Sequence, residues 1–82
     1  MHISSAIIHA GPGKVALVQA GLGTLVGVEV HGISPEGKII VTIETEDDGG
    51  NVATFERIGQ LDGVMSSAMV FQQTESEPDK EI

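Results

Sequence analysis

One phrase occurs twice in this chain. Leu25-Val26-Gly27-Val28 returns 36 positions later as Leu61-Asp62-Gly63-Val64, and the same shift pairs Ile3 with Ile39, Ile7 with Ile43 and Leu22 with Ile58. A repeat of this length is about one strand–helix–strand unit. Two such units, each with a right-handed crossover, close into four antiparallel strands with both helices on one face.

The local patterns agree with that division. Ile3 to His9 reads as a first strand ending at Gly11-Pro12-Gly13, and a helix is expected from Pro12 to about Leu25, with Val15, Val18, Leu22 and Leu25 at helical spacing. Gly21 and Gly23 each weaken that helix by roughly 1 kcal/mol relative to Ala. Val28 to Ile33 and Lys38 to Glu44 alternate as strands joined by the turn Ser34-Pro35-Glu36-Gly37. A second helix follows the loop Glu46-Asp47-Asp48-Gly49-Gly50, capped by Asp48 or Asn51, with Val52, Phe55, Ile58 and Leu61 as its buried stripe. Gly63 ends it, and Val64 to Gln73 is the last strand. The expected class is therefore α+β: a ferredoxin-like βαββαβ two-layer sandwich, a four-stranded antiparallel sheet in the order 4-1-3-2 with two helices on one face. The domain spans 1–73, and 74–82, polar, acidic and interrupted by Pro78, reads as a disordered tail.

Alternation assigns the sheet's two faces. Ile39, Val41 and Ile43 must face the helices, and the repeat places Ile3, Ser5 and Ile7 with them, beside Val28, Val30, Val64, Ala68 and Val70. The open face then carries Ser4, Ala6, Ile8, Glu29, His31, Ile33, Lys38, Ile40, Thr42, Glu44, Met65, Ser67, Met69 and Phe71. Met65, Met69 and Phe71 beside Ala6, Ile8 and Ile40 would make a continuous apolar patch of the size that marks an interaction surface. Methionine adapts to irregular partners, which suits peptide binding. A peptide, a second copy of the chain or the C-terminal tail could each cover it.

Composition narrows the partners. Twelve acidic residues against four basic ones leave a formal charge of −8, which repels nucleic acid and favours a cationic peptide or protein. Cysteine is absent, so there is no disulfide and no thiolate chemistry. Met1-His2-Ile3-Ser4-Ser5 shows no basic region followed by an apolar stretch, and no apolar run could span a bilayer, so a cytoplasmic location is expected.

The chain carries no complete catalytic or metal-binding motif. Gly11-Pro12-Gly13-Lys14 lacks the spacing of a phosphate loop and has Val15 where the magnesium-binding hydroxyl belongs. Gly21-x-Gly23 follows a helix rather than a strand, unlike a dinucleotide fingerprint. His2, His9 and His31 sit on separate elements without ligand spacing, and Ser66-Ser67 has no neighbouring acid–base pair. No enzyme, metal site or cofactor is expected. The acidic group Glu44, Glu46, Asp47 and Asp48 suits a helix N-terminus, and Glu44 and Glu46 could equally receive arginines.

With these elements in place, the chain from Ile3 to Thr74 resembles the NapD family, cytoplasmic chaperones of the periplasmic nitrate reductase catalytic subunit. The likeness rests on the opening strand ending His9-Ala10, on Gly27-Val28-Glu29-Val30, and on Gly37-Lys38-Ile39-Ile40-Val41 continuing to Glu44-Thr45-Glu46-Asp47. Leu61-Asp62-Gly63-Val64 and Val70-Phe71-Gln72-Gln73 complete it. The resemblance implies binding of the reductase precursor's twin-arginine signal peptide through the sheet surface, delaying export until the molybdenum cofactor is inserted. Peptide-binding residues are then expected among Ala6, Ile8, Glu29, His31, Ile40, Thr42, Glu44, Met65, Met69 and Phe71, on a protein monomeric when unbound. The same fold rhythm is similar to regulatory ligand-binding domains of the Lrp/AsnC or ACT type, which would instead oligomerise through the sheet.

Overall fold

The computed structural model describes residues 2–74. Six elements appear in the expected order: β1 (His2–Ala10), α1 (Val15–Leu22), β2 (Val28–Ile33), β3 (Lys38–Thr45), α2 (Asp48–Gly59) and β4 (Val64–Thr74). The strands form one antiparallel sheet in the order β2-β3-β1-β4. Val18 and Leu22 of α1 and Ile58 of α2 join Ala6, Ile8, Ile39, Val41 and Ile43 in a single core, which places both helices on one face. This is the ferredoxin-like two-layer arrangement.

The repeated phrase is the helix-to-strand turn. Gly27 and Gly63 hold φ of +84° and +92°, and Val28 N–H and Val64 N–H reach back to the carbonyls of Leu25 and Leu61 at 3.4 and 3.2 Å. A side chain at Gly27 would be strained by its φ and would collide with the Glu44 carbonyl oxygen. Here the 36-residue offset is structural.

Three helix details differ from expectation. α1 is eight residues long, not the span from Pro12 to Leu25, because it starts after a turn (Lys14 N–H to Gly11 O, 2.9 Å) and gives way at its glycines. Gly21 has a packing use, since a Cβ there would stand 3.0 Å from Leu61 Cδ2. The cap of α2 is Asp47 rather than Asp48 or Asn51: its carboxylate accepts from Gly50 N–H at 2.7 Å. Asn51 is thereby turned into the core and Val52 out of it, leaving Val52 exposed.

The larger correction concerns β1. Its helix-facing residues are His2, Ser4, Ala6, Ile8 and Ala10, all buried, so Ile3, Ser5, Ile7 and His9 face away. The 36-residue shift does not hold there. Ala10 pairs with Val64 at the start of β4 as Ile43 pairs with Val28 at the start of β2, so Ala10 corresponds to Ile43, an offset of 33. The second crossover is longer than the first by three residues. An odd difference reverses which side chains point inward.

Polar chemistry secures this register. Ser4 Oγ donates to Asn51 Oδ1, and Asn51 Nδ2 donates to Ile43 O at 3.0 Å, His2 O at 3.3 Å and Thr45 Oγ1 at 3.3 Å. Ser4 and Asn51 are fully buried, and among the described residues no buried side-chain polar atom lacks a partner. His2 pairs with Asp48 across 3.2 Å, tying β1 to the start of α2. At the other terminus Thr74, placed in the tail by sequence, pairs with His2 as the end of β4. The rest of that tail, 75–82, lies outside the described residues.

Candidate functional site

The helices cover one face of the sheet and leave the other open. Cross-strand register arranges that open face in rows. Ile3 stands opposite Glu44; Ser5 opposite Thr42, with Glu29 beyond it; Ile7 between Ile40 and Ala68; and His9 between Lys38 and Ser66. The centre is thus apolar. Ile40 is 46% exposed although it lies on an inner strand, Ile7 is half-buried and Ala68 is exposed. Gly32 continues the row across β2. Small residues at both ends of the row leave the Ile7–Ile40 pair as its most prominent side chains.

Polar groups frame this row. A bulge between Val30 and Gly32 releases His31 from strict pairing, and its Nε2 sits 2.8 Å from Thr42 Oγ1 and 3.7 Å from Glu29 Oε1. His9 Nδ1 lies 3.1 Å from Ser66 Oγ at the opposite end. Beyond Glu44 the sheet ends in a cleft of ≈ 420 Å³ lined by Gly27, Glu44, Thr45 and Glu46. Among the described residues no cluster of His, Asp or Glu has the grouping to hold a metal ion. No helix among them is long and apolar enough to cross a membrane.

Half of the residues singled out from sequence fall on this face: Glu29, His31, Ile40, Thr42 and Glu44. Ala6 and Ile8 do not; both are 0% exposed beneath the helices, for the parity reason given above. Met69 also belongs to the helix side, opposite Ala6 and half-buried. Met65 falls in the irregularity where β1 and β4 change register, next to Gly11 at the end of the sheet; it is 67% exposed but apart from the central row. The register sets Phe71 opposite Ser5, and its side chain lies outside the described residues. Ser4, Ile33 and Ser67 likewise move off the open face, Ile33 pairing with Ile39 and Ser67 with Ile8. The alternation missed Ile3, Ser5, Ile7, His9, Ser66 and Ala68. Ser4 and Asn51, which satisfy each other on the buried side, fix the parity, but in the sequence Ser4 stands beside Ser5 and nothing local distinguishes the two.

The comparisons bear on what such a face is for. The model of the NapD protein family matches residues 1–76. The chaperone NapD of Paracoccus pantotrophus is 36% identical over 73 residues, 89% of this chain, and this chain spans 64% of that relative's length. The chaperone NapD of Escherichia coli K12 is 26% identical over 76 residues, covering 92% of this chain and 87% of the relative. The solution structure of the E. coli Tat proofreading chaperone protein NapD superimposes with a TM-score of 0.80 at 26% identity, covering 92% of this chain and 80% of that one. With the family model spanning the whole described fold, the chain belongs to the NapD family.

Proposed function

We propose that this protein is a chaperone that binds a twin-arginine signal peptide on the open sheet face, that of the periplasmic nitrate reductase precursor, and so delays export until the cofactor is inserted. The observation that carries this reading is the uncovered apolar row centred on Ile7 and Ile40, next to carboxylates at Glu29 and Glu44. A signal peptide joins a cationic pair to an apolar stretch, so it matches both parts of that surface. Water-excluded contacts with the isoleucines supply most of the affinity, and the exposed carboxylates contribute encounter rate and register. The protein works by binding, without catalysis, as a cytoplasmic monomer until the peptide arrives. The Tat proofreading role named for the E. coli relative supports the same reading.

Isothermal titration with a twin-arginine signal peptide tests it, run beside the same peptide with Arg-Arg replaced by Lys-Lys. The arginine peptide binds, and the lysine peptide binds more weakly because an ammonium cannot form the bidentate carboxylate pair. No heat of binding with either peptide would reject the reading.

A further inference from the structure

Charge is not spread evenly along the open face. At the end where β3 runs out, Glu29, Glu44 and Glu46 gather with no lysine or arginine of the described residues among them, while Asp47 and Asp48 beyond them are taken up by the helix side, Asp47 as the cap of α2 and Asp48 as the partner of His2. At the end where β3 begins, Lys38 pairs beside His9, and Lys14 packs close by against Gly63. Glu36 in the hairpin turn and Asp62 before β4 balance those two lysines. One end of the face is therefore uniformly acidic, its middle is apolar and its other end is close to neutral.

From this gradient we propose that the bound peptide has a single direction: its paired arginines lie at the Glu29–Glu44 end, and its apolar segment runs across Ile7 and Ile40 toward Lys38 and His9. The inference rests on the signal-peptide reading above and adds polarity to it. The dimensions are compatible. Eight residues of β3 extend about 25 Å, the length of roughly 17 residues of α-helix. Glu44 and Ile40 are four residues apart on the strand, about 13 Å, or roughly nine residues along such a helix. The reverse orientation would place two guanidinium groups against Lys38 and leave the carboxylates facing the apolar segment.

A second copy of the chain fits less well. Each copy would bring a formal charge of −8 to the contact, and the carboxylates at Glu29, Glu44 and Glu46 would find no lysine or arginine to meet at their own end of the partner's face.

The chain has no cysteine, so a spin label on a single peptide cysteine meets no competing thiol on the protein. Two peptides are used, labelled either beside the arginines or at the far end of the apolar segment, and amide spectra of the ¹⁵N-labelled protein are recorded with each. The label beside the arginines should broaden Glu29, Thr42 and Glu44 most, and the far label should broaden Lys38 and His9 most. A reversed pattern, or equal broadening of both ends by either label, overturns the direction while leaving peptide binding intact. Binding that broadens neither end overturns the site. Shifts of the same face that depend on protein concentration without peptide identify a second copy as the occupant. Absence of binding overturns this inference together with the reading on which it rests.

Discussion

Replacing Asn51 by Ala should be among the most damaging single changes to the fold. The side chain is fully buried and serves Ser4 Oγ, the Ile43 and His2 carbonyls and Thr45 Oγ1. Its removal strands the Ser4 hydroxyl without water or protein partner, and a buried orphan of this kind costs ~1–3 kcal/mol. The carbonyls that lose a donor bring the expected loss to about 2–4 kcal/mol. A domain of this size has only ~4–12 kcal/mol in total, and the melting temperature should fall by roughly 10–25 °C. Urea denaturation measures the loss. The double mutant separates the hydrogen bond from general packing: Ser4→Ala with Asn51→Ala removes both partners, so its cost should be below the sum of the singles by about 1 kcal/mol or more. If both single losses stay under ~0.5 kcal/mol and add, Ser4 faces solvent and the register assigned to β1 is wrong.

Other outcomes follow from the same geometry. Ile8→Ala empties a fully buried site and should cost ~2–5 kcal/mol in urea denaturation. Asp47→Ala removes the cap of α2 and should cost about 1 kcal/mol by the same assay. Gly27→Ala should destabilise by more than ~1 kcal/mol, since the residue holds φ of +84° against the Glu44 carbonyl; an unchanged melting temperature would contradict that. Glu44→Gln should weaken peptide binding less than loss of an isoleucine does, and titration at rising ionic strength should shrink the difference from wild type.

The fold was legible because its signals are local. Each helix-to-strand turn needs a glycine at positive φ, and Gly27 and Gly63 mark the same joint in both halves. The alternation of Lys38 to Glu44 gave β3 its faces because that strand has a polar side. β1 has none: Ile3 and Ile7 line one face and Ala6 and Ile8 the other, so periodicity carries no parity information there. The Ile3–Ile39 and Ile7–Ile43 matches were chemically real but joined opposite faces, because the crossovers differ in length by three residues. The bulges in β2 and β4 hid Ile33, Met65 and Met69 in the same way, each shifting the strand beyond it by one residue. What the sequence could reach of the site was the part on β2 before its bulge and on β3.

Two adjacent residues of β1 decide which side of the strand meets the peptide. Titration of the signal peptide against Ile7→Ala and Ile8→Ala, each at a temperature where it is fully folded, compares side chains on opposite faces of one strand. Ile7→Ala should weaken binding by about 1–3 kcal/mol, roughly 5- to 150-fold in Kd, while folded Ile8→Ala binds as the wild type does. A larger loss of affinity from Ile8→Ala than from Ile7→Ala would contradict the assignment of the open face.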